Sequence, residues 1–318
     1  MKPRLKSAAL IGVCASLMAP GARASDPHWD GSESFSQRDT KTESAQETIQ
    51  SPADQAQNPP GQEKKHLSLW RSWLRMGEHA QATQPDWLSP LATTSGRLKQ
   101  EFRFDTFDQP SANGNRTYQL GGGKGLEFIT SPRTQLLLGV PTYTVVSPNG
   151  PLAGFGDLPL QLKFRIASAE RSEGNYMLTF ILAATAPTGS HRYGAGDAVL
   201  TPTLAAGKGW GRIDVQSTLG LNLPAGSTAK LGRQLQWNTA FQYQAAWKLW
   251  PELEANSTFY TTGKYAGETQ VFLTPGIGFG RAHLAGRFRL SSAVGVQIAA
   301  TQFQTYNHRW MFSTRVSF

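Results

Sequence analysis

The chain has 318 residues, 31 Lys and Arg against 22 Asp and Glu, 32 glycines and a single cysteine. One cysteine excludes a disulfide framework, and basic residues scattered without interleaved aromatic clusters give nucleic-acid binding no support. Mean hydropathy is −0.37, and after residue 24 no apolar run approaches the ~18 residues of a membrane helix. That excludes helical membrane spans but not a β-barrel, in which only every second residue meets lipid.

The N-terminus carries Lys2, Arg4 and Lys6, a short apolar stretch from Ala8 to Ala19, and Ala22-Arg23-Ala24. This order of basic, apolar and small residues reads as a secretory signal peptide over 1–24, with the mature chain starting near Ser25. Cys14 leaves with it, and Ile11-Gly12-Val13 before it is a poor lipoprotein box. Four basic residues also leave, so the mature charge balance is 27 − 22 = +5.

Residues 25–66 are rich in Ser, Gln, Glu, Asp, Thr and Pro and lack large apolar side chains. Such a segment cannot bury enough surface to offset its ordering entropy, so a disordered periplasmic extension is expected. Residues 67–96 are expected to be a short helix and linker. Leu67, Trp70, Trp73 and Leu74 are spaced for one helix face, beside Arg71 and Arg75. Two readings fit: an interfacial helix at the membrane or barrel mouth, and a short packed helix or partly ordered linker.

From residue 97 period-2 segments dominate. In 213–223, Ile213, Val215, Leu219, Leu221 and Leu223 share one face while Asp214, Gln216, Thr218 and Asn222 share the other. The same alternation runs through 234–249 and 287–298. Such segments fall near 97–108, 117–130, 134–146, 154–167, 175–187, 197–209, 211–223, 233–249, 252–263, 268–281, 286–300 and 308–318. Turns are expected at Ser131-Pro132-Arg133, Trp250-Pro251 and Arg281-Ala282-His283, with longer polar loops at the opposite end.

The expected fold is all-β: a transmembrane antiparallel barrel of about 12 strands over 97–318, following a largely disordered N-terminal extension. A soluble sandwich would alternate as well, but its strands span ~5–6 residues, shorter than many of these. The last strand sets Trp310, Phe312, Val316 and Phe318 on one face and Ser313, Arg315 and Ser317 on the other. Its terminal aromatic resembles the assembly signal of outer-membrane barrels. Outer-membrane lipids and the barrel assembly machinery are therefore expected partners, and the Gram-negative outer membrane the expected location.

Mapping the inward faces predicts a charged, salt-bridged constriction near the periplasmic end. Its members are Lys99, Glu101, Arg103, Lys163, Arg165, Asp214, Lys248, Glu252, Glu254, Arg287, Arg289 and Arg315. Above it, Gln216, Thr218, Asn222, Gln234, Gln236, Asn238 and Gln297 offer neutral hydrogen-bonding groups, and Tyr118, Tyr260 and Phe272 are candidates to face inward. Gly121-Gly122-Gly123-Lys124-Gly125 does not open a helix after a strand, so it reads as a bulge or barrel bend. Ser190, His191, Asp197 and His308 lie in loops but form no catalytic pattern, and no histidine has metal-ligand spacing. Neither an enzyme nor a cofactor is expected.

Pro85-Asp86-Trp87-Leu88-Ser89-Pro90-Leu91, Arg97 through Asp105, Gly154-Phe155-Gly156-Asp157-Leu158-Pro159-Leu160-Gln161-Leu162-Lys163 and Ala186-Pro187-Thr188-Gly189 resemble the outer-membrane family named for the meta-pathway of phenol degradation. The resemblance spans roughly residues 85–318. It implies a barrel that passes aromatic or other hydrophobic small molecules, and it brings no catalytic residues. A channel for a small-molecule solute is the first functional reading; a non-conducting structural or binding barrel is the alternative, and an outer-membrane hydrolase a lesser one. The intact mass of protein purified from outer membranes should correspond to a chain beginning near Ser25; a mass retaining Met1 would contradict the signal-peptide reading.

Overall fold

The structure, a computed structural model, describes residues 60–122, 124–147, 152–245 and 248–318. The signal peptide, residues 25–59 of the extension and Trp247 lie outside the described residues. Contacts divide the chain between Leu67 and Ser68; the barrel belongs to the second unit.

A helix, α1 (Pro60–Ala82), precedes the ladder segments β1 (Glu101–Pro110), β2 (Arg116–Gly121), β3 (Gly125–Ser131), β4 (Thr134–Gly139), β5 (Tyr143–Ser147), β6 (Leu152–Phe155) and β7 (Leu158–Ala169). Then come β8 (Tyr176–Ala186), β9 (Val199–Trp210), β10 (Ile213–Pro224), β11 (Gln234–Tyr243), β12 (Leu249–Tyr260), β13 (Thr269–Ala285), β14 (Phe288–Ala299) and β15 (His308–Ser317). Three pairs are single strands with an interruption. β1 pairs with both β2 and β3, while β5 and β4 pair respectively with β6 and β7. Fifteen segments minus three joins gives twelve membrane strands. The break between β2 and β3 falls at the glycine run, where Gly121 and Gly122 take φ of +96° and +58°, a conformation that glycine adopts without steric cost.

The sheet closes on itself. β15 pairs antiparallel with β1 from Glu101↔Ser317 to Asp108↔Trp310, which closes the ladder; β6 pairs with β5 on one side, and the 188–195 loop meets its other edge through Ser190 N to Phe155 O. Both ends of the barrel sequence lie at the end with the short turns, which is the periplasmic end in outer-membrane barrels. The outer face is apolar: Leu138, Leu162, Phe180, Leu204, Leu219, Phe241, Leu253 and Phe312 are all exposed. In water this band would be an association hazard; against lipid tails it is the stable surface. Trp210 and Tyr243 stand exposed at the periplasmic ends of β9 and β11, where amphipathic rings suit the interface.

Several local expectations are corrected. β1 begins at Glu101 instead of residue 97, because the backbone of Leu98 is bonded through its N–H and carbonyl to the Gln84 amide. Trp250 and Pro251 are not a turn but part of β12, with Trp250 buried on the inner face. Arg281-Ala282-His283 continues β13, and the reversal comes at 286–287. Tyr118 pairs opposite Asp108 and, by alternation from the inward Asp105 and Phe107, faces outward. Tyr260 and Phe272 are buried on the inner face.

The Gly-Phe-Gly-Asp stretch and the Thr188-Gly189 stretch prove to be one unit at the extracellular end. The Asp157 carboxylate accepts from Gly189 N at 2.9 Å and Ala195 N at 2.8 Å, and Thr188 Oγ1 accepts from Leu158 N. A side chain at Gly154 would run into the Tyr193 ring, so the glycine lets the 188–195 loop lie flat on the wall. Ser190 donates its hydroxyl to Phe155 O, a structural engagement. Asp157→Ala removes both acceptors for roughly 1.5–3 kcal/mol each. External protease on intact cells should then cleave loop 188–195 faster in the variant, with barrel heat-modifiability unchanged; equal cleavage would contradict the clamp.

Candidate functional site: the occupied lumen

Residues 83–100 have no strand or helix ladder, yet nearly all are buried. They run from the end of α1 into the barrel and return to β1. Inside, their backbone groups need partners, and the wall supplies them. The Glu254 carboxylate on β12 accepts from Ala92 N at 2.8 Å and Thr93 N at 2.6 Å. Arg103 on β1 donates to Pro90 O and to Leu91 O at 2.7 Å, and Arg315 on β15 donates to Ser89 O and Pro90 O. Gln216 on β10 donates to Leu88 O and accepts from Ser95 Oγ. On the return limb, Thr179 donates to Gly96 O, Lys163 to Arg97 O, and Gln135 accepts from Lys99 N. Gln84 ties the two limbs together at Leu98.

Apolar packing adds shape to this anchoring. A Cβ at Gly207 would lie 2.6 Å from the Trp87 ring, and a Cβ at Gly276 or Gly295 would lie 2.7 Å from Leu91 Cδ1. Gly278 likewise leaves room for Leu88. Inward glycines thus form recesses that the hairpin's large side chains fill. At its tip Leu91 packs with Phe107, Ala293 and Met311.

The C-terminal part of α1 covers the periplasmic mouth. Trp73, Met76, Gly77 and Ala80 follow the i, i+3, i+4, i+7 pattern and form its covered face, with Ala80 and Leu98 packed on Ile129. This covered stripe is offset from the face expected from the sequence: Trp70 is 55% exposed. Trp73 Nε1 donates to Ile129 O at 2.7 Å, and Arg165 donates to Ala80 O and Pro132 O.

Nine of the twelve charged residues singled out from sequence are buried here: Lys99, Glu101, Arg103, Lys163, Arg165, Asp214, Glu252, Glu254 and Arg315. Lys248, Arg287 and Arg289 are exposed, with Lys248 bonded to Arg281 O and Arg287 paired to Glu78 of α1. The buried charges divide by side. Around β1, β3 and β7 they pair directly: Lys99–Glu101 at 3.1 Å, Arg103–Asp105 at 2.9 Å and Lys163–Glu127 at 3.2 Å. Around β10 and β12 the acids take neutral donors instead, Asp214 from Gln216 and Glu252 from Gln242. At the mouth, Asp86 meets Arg97 and Arg281. Burial alone would raise the Asp86 pKa, but these two arginines outweigh it and lower it.

Glu127 and Asp105 were missed from sequence, although alternation with Leu126, Phe128, Phe104 and Thr106 placed both on the inner face. Nothing local marked Trp87 as a lumen residue, because an irregular segment has no period to read.

A closed twelve-strand ladder, an apolar exterior and a polar interior filled by the chain's own hairpin define a transmembrane β-barrel of the bacterial outer-membrane class. No protein-family model matches the chain, and no curated protein matches it. Among solved structures it is similar to an outer membrane channel from Pseudomonas putida F1, at 14% identity and TM-score 0.48 over 73% of this chain and 100% of that one. The NanC porin aligns at 7% identity and TM-score 0.45, covering 68% and 98%. Salmonella typhi OmpF in complex with daunomycin aligns at 8% and 0.33, covering 69% and 96%. At these values the likeness assigns no function.

Glu127→Ala should cost roughly 3–5 kcal/mol in urea unfolding, because it strands the Lys163 ammonium in the interior. The Glu127→Leu/Lys163→Met double variant should recover much of that loss; a double variant as unstable as the single would contradict charge stranding as the cause.

Proposed function

We propose that the protein is an outer-membrane channel for small molecules, closed at rest by the hairpin of residues 84–100 and selective at the charged lower lumen. One observation carries the reading: the lumen is filled by a separable segment gripped through side chains, not by wall side chains packed on one another. Twelve strands enclose more space than the eight-stranded barrels whose own side chains fill them. Displacing the hairpin would leave a polar passage lined by Glu254, Gln216, Arg103 and Arg315. The family resemblance noted above supports aromatic or hydrophobic solutes, and Tyr260 and Phe272 on the upper wall suit them. Assembly would use the terminal strand, whose Trp310 and Phe312 are exposed on the outer face.

Full burial of Gln100, Lys163 and Glu254 favours a second reading, a sealed barrel whose hairpin never leaves. Planar-bilayer recording separates the two. Glu254→Ala removes two charge-assisted bonds, about 3 kcal/mol or more, which is roughly a hundredfold shift toward the unseated hairpin. The channel reading predicts rare openings in the wild type and a correspondingly larger open fraction in the variant. Bilayers that stay sealed for both, across ionic and aromatic solutes, would leave the sealed barrel standing and sink the channel.

A further inference from the structure

Above the hairpin, on the inner face near the extracellular end of β15, Arg309 occupies an unusual setting. Its guanidinium carbon lies 4.5 Å from the Phe107 ring centre and 5.0 Å from that of Tyr306, so two aromatic rings pack against the group. Its Nε donates to Gln297 Oε1 at 2.8 Å, and the Tyr306 hydroxyl donates to the same oxygen. No described residue bonds Nη1 or Nη2, and no carboxylate of a described residue lies within ion-pair reach. This contrasts with the Arg103, Lys99 and Lys163 pairs below it. Arg309 is only half-buried, so its free edge is reachable from the upper lumen.

The surroundings are aromatic. Phe272 stacks on Tyr306 with centroids 4.4 Å apart and planes at 15°. Tyr260, Tyr265 and Phe303 form a second cluster beside them, with centroids 5.1–5.5 Å apart. The 300–307 loop is drawn inward by this packing and by Thr305, which donates twice to Gln270 Oε1.

We propose that Arg309 and these rings form a binding site for an aromatic carboxylate entering from outside the cell. With two rings against it and Nε engaged by Gln297, the guanidinium keeps Nη1 and Nη2 for a ligand. A planar carboxylate matches that pair in bidentate fashion. The ligand's ring would then lie among Phe272, Tyr306 and Tyr260, where edge and face contacts are available. The carboxylate supplies the counter-charge that the wall withholds at this level. Gln297 fixes the fork, since its amide also donates to Asn256 Oδ1 at 2.9 Å, and Asn256 accepts from Thr274 Oγ1. The assignment names a solute class for the proposed channel, but binding itself requires no opening.

Isothermal titration of the full mature protein in detergent micelles tests it, with benzoate as the probe and phenol, cyclohexanecarboxylate and acetate as comparators. The wild type should bind benzoate roughly tenfold or more tightly than each comparator. Arg309→Met should abolish binding, Arg309→Lys should weaken it by losing the fork, and Phe272→Leu should reduce the preference over cyclohexanecarboxylate. Heat-modifiable migration on gels would verify that each variant is folded. Absence of benzoate binding by the wild type, equal binding by folded Arg309→Met, or acetate binding as tightly as benzoate would overturn the proposal. Benzoate binding by a protein that never conducts would uphold this site while the channel reading failed, and conduction without benzoate binding would do the reverse.

Discussion

Everything in the lower half of this barrel depends on satisfying the backbone of a segment that has no ladder of its own. Residues 84–100 sit in an interior where an unpartnered N–H or carbonyl is costly. Glu254 therefore stands under two consecutive amides, and Arg103 and Arg315 converge on the carbonyls of Ser89, Pro90 and Leu91. The same carboxylate and guanidinium groups would be expensive to bury alone. Hairpin and wall thus satisfy each other, and this reciprocity makes the charges tolerable without a water-filled pore around them.

A gradient of chemistry follows along the barrel axis. The periplasmic mouth is covered by α1 through Trp73, Met76 and Ala80. The middle is charged and occupied by the hairpin, whose Leu91 tip reaches the small apolar layer of Phe107 and Met311. Above that layer the interior turns aromatic around Arg309. Thr93 of the hairpin is hydrogen-bond partner to Asn256, which in turn meets Gln297 beneath Arg309. The hairpin and the upper aromatic layer are consequently adjacent parts of one polar network.

Much of the barrel was legible in the sequence because lipid on one side and a polar interior on the other force a period of two. All twelve strands were present in that pattern, and Arg103, Lys163, Glu254 and Arg315 fell on the correct face. The misplaced boundaries have local causes. Trp250-Pro251 carries turn chemistry, yet Pro251 lies within β12 opposite Ile277, and Arg97-Leu98 alternates like a strand but is captured by Gln84 and Trp87. What alternation could not show was the partner of each inward residue. It grouped the charges around the lower lumen without showing that Arg103, Lys163, Glu254 and Arg315 hold residues 84–100, a stretch whose burial comes only from long-range contacts.

Amide hydrogen exchange of residues 84–100, followed by mass spectrometry on the folded protein, tests the central claim most directly. A hairpin seated on the wall predicts protection of the Ala92 and Thr93 amides comparable to that of neighbouring strands, with selective loss at those two positions in Glu254→Ala. Exchange across 84–100 at the rate of an unstructured linker, in a barrel whose strands remain protected, would contradict it.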